Sequence, residues 1–202
     1  MRARIYDAAI VRMTAGWYRA VLARLPPGCR VLDVGIGTGS ALLANADLVT
    51  GRDLHITGID VDAAYVARCR RAALARGLAD RVAVRLEGVD EHRGGPYDAV
   101  YFSGSFMLLP DPAGALRRVC TLLQTGGRIW FTQTLEERPS RVIEVVKPLL
   151  RVATTIDFGR VTYEADFRRT LAAGGVVLEE LEALRRGPRR TAILAVGRPA
   201  QA

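Results

Sequence analysis

Short apolar runs alternate with longer amphipathic stretches almost to the end of the chain. That pattern predicts strands alternating with helices around a mostly parallel sheet. Residues 5–25 carry Ile5, Ile10, Val11, Trp17 and Leu22 at helical spacing, and Pro26-Pro27-Gly28 stops them. Arg30–Val34 reads as a buried strand, followed by a glycine turn and a helix over Ser40–Val49. Leu54–Asp60 is the second strand. Asp62 is placed to cap a helix running to Arg76, with Gly77 just beyond its end. Val82–Glu87 and Tyr97–Ser103 are the third and fourth strands, and Asp111-Pro112 opens a helix that should end near Leu123. Arg128–Gln133 is the fifth strand. Residues 138–153 read as helix kinked or split by Pro148, and Glu164–Ala173 as a further helix. Val176–Leu184 and Thr191–Val196 have no room for a helix between them, so they form an antiparallel hairpin.

A chain of 202 residues, half of them hydrophobic, suits a single domain with both sheet faces covered. The net charge of +8 rests on 28 arginines and one lysine, Lys147. So lopsided a ratio points to a composition bias across the whole chain, although the charge still draws acidic partners at long range. No apolar run reaches the ~20 residues of a membrane span, and the first residues lack a signal-peptide pattern. The expected location is the cytoplasm; the arginine-rich start keeps a mitochondrial presequence as an alternative. Cys29, Cys69 and Cys120 lie far apart and only His55 and His92 supply imidazoles. A disulfide framework or a zinc site is therefore not expected, and no metal is assigned. His55 reads as a packed or edge histidine and His92 as a solvated loop residue.

The chemistry concentrates at the first turn. Val31-Leu32-Asp33-Val34-Gly35-Ile36-Gly37-Thr38-Gly39-Ser40 joins a strand to a helix. Glycines there allow positive φ and close approach of a ligand, and the following helix offers free N–H groups. Gly58-Ile59-Asp60 closes the second strand, where a carboxylate can accept hydrogen bonds from ribose hydroxyls. A dinucleotide turn requires Gly or Ala at the sixth place of its glycine pattern, and this chain has Ser40. Its only lysine, Lys147, has Ile143 four places earlier, so the Tyr-x-x-x-Lys pair of short-chain dehydrogenases is missing.

The first turn resembles the first motif of class I S-adenosylmethionine-dependent methyltransferases. Gly-Ile-Asp-Val-Asp at 58–62 is similar to the second motif. Gly-Pro-Tyr-Asp-Ala-Val-Tyr-Phe-Ser at 95–103 resembles the fourth strand, and Leu-Leu-Gln-Thr-Gly-Gly-Arg-Ile-Trp-Phe at 122–131 the stretch into the fifth. The resemblance spans residues 28–198. It implies an α/β, Rossmann-like methyltransferase fold: a mostly parallel seven-stranded sheet with a C-terminal antiparallel hairpin and helices on both faces. It implies S-adenosylmethionine as cofactor. Gly35, Gly37 and Gly39 would pass beneath it, Asp33 would order its amino-acid end, and Asp60 with Val61 beside it would hold the nucleoside. Asp90 would meet the adenine if the usual Gly-Asp loop is shifted by one, and Ser103 would line the transfer pocket.

Residues 1–27 are expected to form a helical lid or cap, and 28–202 the cofactor-binding domain, with acceptor recognition in 136–160. Tyr6, in the Tyr-Asp that opens the lid of many relatives, is a substrate-side candidate together with Phe106, Gln133, Phe158 and Tyr163. Core packing, or contact with an anionic membrane surface through Trp17-Tyr18, are the other readings of this helix. Ser103-Gly104-Ser105-Phe106 lacks the Asp-Pro-Pro-Tyr of amino-directed base methyltransferases, and no cysteine follows a proline as in cytosine C5 enzymes. Phe106-Met107-Leu108 also stands where relatives carry a histidine, so no catalytic base is assigned. The leading expectation is a methyltransferase for a small-molecule or lipid-like acceptor. An RNA or protein methyltransferase using the basic surface, or a non-catalytic binding domain, are the alternatives; nucleic acid is not favoured.

Overall fold

A computed structural model of the chain describes residues 2–136 and 163–200, with the backbone alone before Arg12. Seven strands form one sheet in the order β3-β2-β1-β4-β5-β7-β6. They are β1 (Arg30–Val34), β2 (His55–Asp60), β3 (Val82–Leu86), β4 (Tyr97–Ser103), β5 (Leu123–Glu136), β6 (Val176–Arg186) and β7 (Arg190–Pro199). β1 to β5 are parallel, and β7 runs antiparallel between β5 and β6. Among the described residues the α-helices are α1 (Arg2–Leu22), α2 (Ser40–Leu43), α3 (Ala46–Gly51), α4 (Ala63–Ala75), α5 (Pro112–Cys120) and α6 (Glu164–Ala173). The α/β architecture and the closing hairpin are those expected.

Because a buried parallel strand shows apolar side chains on both faces, the sheet has two cores. One holds Val31, Ile56, Tyr101, Trp130 and Leu194 under α1 to α4. The other holds Leu32, Val100, Phe102, Ile129 and Phe131 under α5 and α6. Phe102, Phe106, Phe131 and Phe167 meet in stacked or edge-on pairs with centroids 5.0–6.0 Å apart.

Local signals explain most boundaries. Asp62 accepts hydrogen bonds from the Ala64 and Tyr65 amides and starts α4, and Gly77 follows at φ 65°. Asp111 accepts from the Gly114 amide at the start of α5, with Pro112 in the first turn. The structure corrects the single helix expected over 40–49. Asn45 is buried, and its amide donates to the Ala15 and Ala41 carbonyls, tying the junction of α2 and α3 to α1. A side chain spent on neighbouring carbonyls breaks the helix there. β5 begins five residues before the expected Arg128 because Leu123 already pairs with Tyr97, and it runs on to Glu136 against Arg190. The hairpin strands are longer than expected, leaving a turn in which the Gly187 amide donates to the Arg190 carbonyl.

His92 is a second correction. It is fully buried rather than solvated, 2.7 Å from Glu87 through Nδ1 and 2.8 Å from the Tyr97 hydroxyl through Nε2. The loop after β3 folds inward because Val89 anchors in the α5–α6 core and the His92 amide donates to Gly88. His55 stands exposed at the start of β2, beside Asp53. No helix among the described residues is long and apolar enough to cross a membrane. The helix expected over 138–153 lies outside the described residues.

Candidate active site

The carboxyl ends of β1, β2 and β4 meet at the first turn, where an open parallel sheet of this order leaves a crevice. The turn is strapped to β2: the Gly35 and Ile36 amides donate to the Ile59 carbonyl at 2.8 and 3.2 Å. Its three glycines have φ of 78°, 59° and 69°, the left-handed region that favours glycine. They face different surroundings. A Cβ on Gly35 would lie 2.5 Å from Ser105 Cβ, and one on Gly39 would lie 2.3 Å from Cys69 Sγ of α4. A Cβ on Gly37 would meet nothing within 4 Å. Gly35 and Gly39 are therefore also demanded by packing, whereas Gly37 borders open space. Because α2 has only four residues, the turn's own amides, not a helix end, supply the local polarity.

Two carboxylates flank that space. Asp60 Oδ2 accepts from the Gly37 amide at 2.8 Å and Oδ1 from the Asp62 amide at 2.9 Å. It thus locks the glycine turn to the start of α4 while keeping lone pairs free, and the capping itself falls to Asp62. Asp33 is buried. The Tyr18 hydroxyl donates to its Oδ2 at 2.7 Å, and its Oδ1 has no partner among the described residues. Burial pushes Asp33 up to about 7; the Tyr18 hydrogen bond opposes the shift and the Asp60 charge adds to it. Val61, beside Asp60, is 78 % exposed, and its Cγ1 is 3.7 Å from the Cβ position of Gly88 in the loop after β3. Asp90 is exposed on that loop, and its carbonyl accepts from Arg93.

At the end of β4, the Ser105 hydroxyl donates to the Val34 carbonyl and joins this turn to β1. Ser103 is half-buried there, and the Trp17 ring lies 3.5 Å from the Cβ position of Gly104. Phe106 is buried in the aromatic cluster, while Met107 and Leu109 line a groove between the start of α5 and α6 that includes Phe167 and Thr170. Gln133 sits on the same sheet face, between Phe131 and Leu135. It is 2 % exposed, and neither of its amide atoms has a partner among the described residues. Tyr163 is half-buried at the start of α6, bridged through the backbone to Glu136. Phe158 and the Tyr6 side chain lie outside the described residues. Burial pushes the Cys29 thiol up to about 12 and the Cys69 thiol up to about 11, so both stay protonated near neutral pH.

Three participants escaped the sequence reading: Trp17, as a wall of the site, Tyr18 and Ser105. Their spacing signals only a helix face and a loop, and their roles depend on strands distant in the chain.

The fold and this site define a Rossmann-like nucleoside-cofactor domain. Comparison with known proteins narrows the class. Residues 25–154 match the model of a methyltransferase domain family. The chain is similar to aklanonic acid methyltransferase DauC of Streptomyces sp. (strain C5), 38% identical over 109 residues that cover 52% of this chain and 48% of that protein. It is similar to nocamycin O-methyltransferase of Saccharothrix syringae, 35% identical over 163 residues, 77% of this chain and 55% of that one. The chain thus spans about half the length of these two relatives. In structure it is similar to the [4+2]-cyclase SpnF, with TM-score 0.73 and 20% identity over 95% of this chain and 82% of that one. The chain belongs to the class I S-adenosylmethionine-dependent methyltransferase family.

The residues fit that family's cofactor. The unpaired Asp33 oxygen awaits a donor, the space beside Gly37 is open, and Val61 offers an exposed apolar face.

Proposed function

We propose that the protein transfers a methyl group from S-adenosylmethionine to a small apolar acceptor. The observation that carries the reading is the cradle between Asp33 and Asp60, with open space beside Gly37. When bound, S-adenosylmethionine supplies a methyl group on a positively charged sulfur. The chain's own contribution is placement. Asp33 offers its unpaired oxygen to an ammonium group, Asp60 offers its free lone pairs to ribose hydroxyls, and Val61 and the loop bearing Asp90 close on a flat base.

His92 is committed to Glu87 and Tyr97, and His55 stands exposed at the start of β2, the end away from the glycine turn. Alignment and exclusion of water are then the means of catalysis, which suits a displacement needing little proton transfer. The first half of α1, residue Tyr6 included, serves as the lid. Gln133 is the polar handle for the acceptor, since a buried amide without partners is rare in a native interior. Two relatives named for small-molecule substrates support an acceptor of that size.

Because the fold also hosts a cyclase, turnover has to be measured directly. The test is release of S-adenosylhomocysteine when the protein and S-adenosylmethionine meet a panel of quinone, polyketide and phenolic acceptors. Cofactor binding with acceptor-dependent release is expected. Binding without release on any acceptor would leave a non-catalytic cofactor domain, and absence of binding would overturn the reading.

A further inference from the structure

A cleft beside the site bears on the acceptor, on the premise that the chain is a small-molecule methyltransferase. α1 runs alongside the edge strand β6. Arg24, just past its end, pairs with Glu180 and Glu182. Nearer its start, Arg12, Met13, Gly16 and Trp17 face Leu184 and Arg185, and these six residues line an open cleft. The floor is apolar. Trp17 is only 7 % exposed and lies 3.5 Å from the Cβ position of Gly104, at the end of β4. One residue therefore forms a wall of both the cleft and the turn next to Ser103 and Ser105.

The rim is basic and unneutralised. Neither Arg12 nor Arg185 has an ion-pair or hydrogen-bond partner among the described residues, so both guanidinium groups are available at the cleft. Gly16 adds a second observation. Glycine inside a helix is unfavourable, yet packing does not require it here, because a Cβ would meet nothing within 4 Å. Its absence of a side chain keeps the cleft deep.

We propose that this cleft holds the acidic group of the acceptor. The acceptor is then an apolar small molecule bearing a carboxylate or phosphate at one end. Arg12 and Arg185 grip the acid, since guanidinium forks match the geometry of both oxyanions. Met13, Trp17 and Leu184 cover the apolar body, and the other end extends past Trp17 to the end of β4.

Calorimetry on the full chain with S-adenosylhomocysteine present tests this. The probes are naphthoate, naphthyl phosphate, neutral methyl naphthoate and inorganic phosphate. At least one aromatic acid is expected to bind, with the ester and inorganic phosphate weaker by about tenfold or more, the size of a lost charge-assisted contact; the tighter acid identifies the oxyanion. Arg12→Gln and Arg185→Gln should each weaken the acid by about tenfold. Gly16→Leu, which fills the cleft while favouring the helix, should abolish acid binding. Arg186→Gln makes the same charge change at a residue lining a different groove and should leave acid binding unchanged. Equal binding of ester and acid, or an Arg186 effect as large as that of Arg185, would overturn the proposal. So would displacement of the probe by an RNA oligonucleotide with steep salt dependence. If S-adenosylhomocysteine binds and no acid does, this inference alone fails; if S-adenosylhomocysteine does not bind, the underlying functional reading fails.

Discussion

The Tyr18 hydroxyl of α1 donates a 2.7 Å hydrogen bond to Asp33 in β1, and both side chains are buried. The N-terminal helix thereby touches the carboxylate that stands two residues before Gly35, and binding at that turn can be felt in α1. It also gives Asp33 a measurable pH signature. Burial pushes Asp33 up to about 7, whereas an aspartate in an unfolded chain titrates near 4. Between those values the folded chain holds a proton that the unfolded chain has lost. Stability therefore falls as pH rises from about 4 to about 7, by roughly 4 kcal/mol if the whole shift is realised. Asp33→Asn removes that slope. Its melting temperature relative to the parent should rise across the window, while its cofactor affinity drops. A melting difference that is flat from pH 4 to 8 would mean Asp33 is ionised throughout.

Asp60 makes two backbone hydrogen bonds and keeps lone pairs free. Asp60→Ala should weaken S-adenosylmethionine binding by roughly 1.5–3 kcal/mol, the range for hydrogen bonds to a charged group, or about one to two decades in Kd. Asp60→Asn, which can still accept from the Gly37 amide, should lose less. Calorimetry with S-adenosylmethionine and with NAD completes the test: no NAD binding is expected, and tighter NAD binding would refute the cofactor assignment.

Gly37 and Gly39 separate ligand space from packing space. Gly39→Ala drives a methyl against Cys69 Sγ and should cost about 1–3 kcal/mol of stability through overpacking. Gly37→Ala enters open space, so its stability loss should be smaller, limited to the backbone strain of a non-glycine residue at positive φ. Its loss of cofactor affinity should be the greater of the two. Chemical denaturation beside ligand titration reads both quantities, and the reverse pattern would place the cofactor away from Gly37.

Among the described side chains of α1, the buried ones begin at Trp17. Trp17, Tyr18, Val21, Leu22 and the following Leu25 are buried. Deleting residues 1–11 should leave a folded, cofactor-binding domain that has lost most turnover. Deleting residues 1–25 should expose the core beneath α1 and give aggregation. Full turnover without residues 1–11 would remove the lid role. Loss of vesicle binding with turnover of a soluble acceptor intact would indicate a membrane contact instead.

Signals confined to a few neighbouring residues were legible in the sequence. Asp62 and Asp111 announced their helices, Tyr97–Ser103 and Glu164–Ala173 matched the observed elements, and the lack of room for a helix between Leu184 and Thr191 required a hairpin. The glycine turn and the carboxylate bonded to it were legible for the same reason, since Gly35, Gly37 and Asp60 belong to two short motifs. Signals that depend on remote partners were not. Asn45 looked like an ordinary helical residue until α1 supplied the Ala15 carbonyl. His92 looked solvated because Glu87 and Tyr97 close around it only when the loop folds onto the sheet. Trp17 and Arg185 share a cleft although most of the chain separates them.

Among the described strands, β7 comes last in the chain yet occupies an interior place in the sheet, with seven consecutive buried residues from Thr191 to Gly197. A polypeptide emerging from the ribosome in order must therefore wait with the edge of β5 uncovered, because β6 reaches the sheet only through β7. Residues 190–199 act as the keystone of assembly. A premature stop just before them should send the nascent chain to aggregation or proteolysis, whereas an equally short loss from the start of α1 would be tolerated.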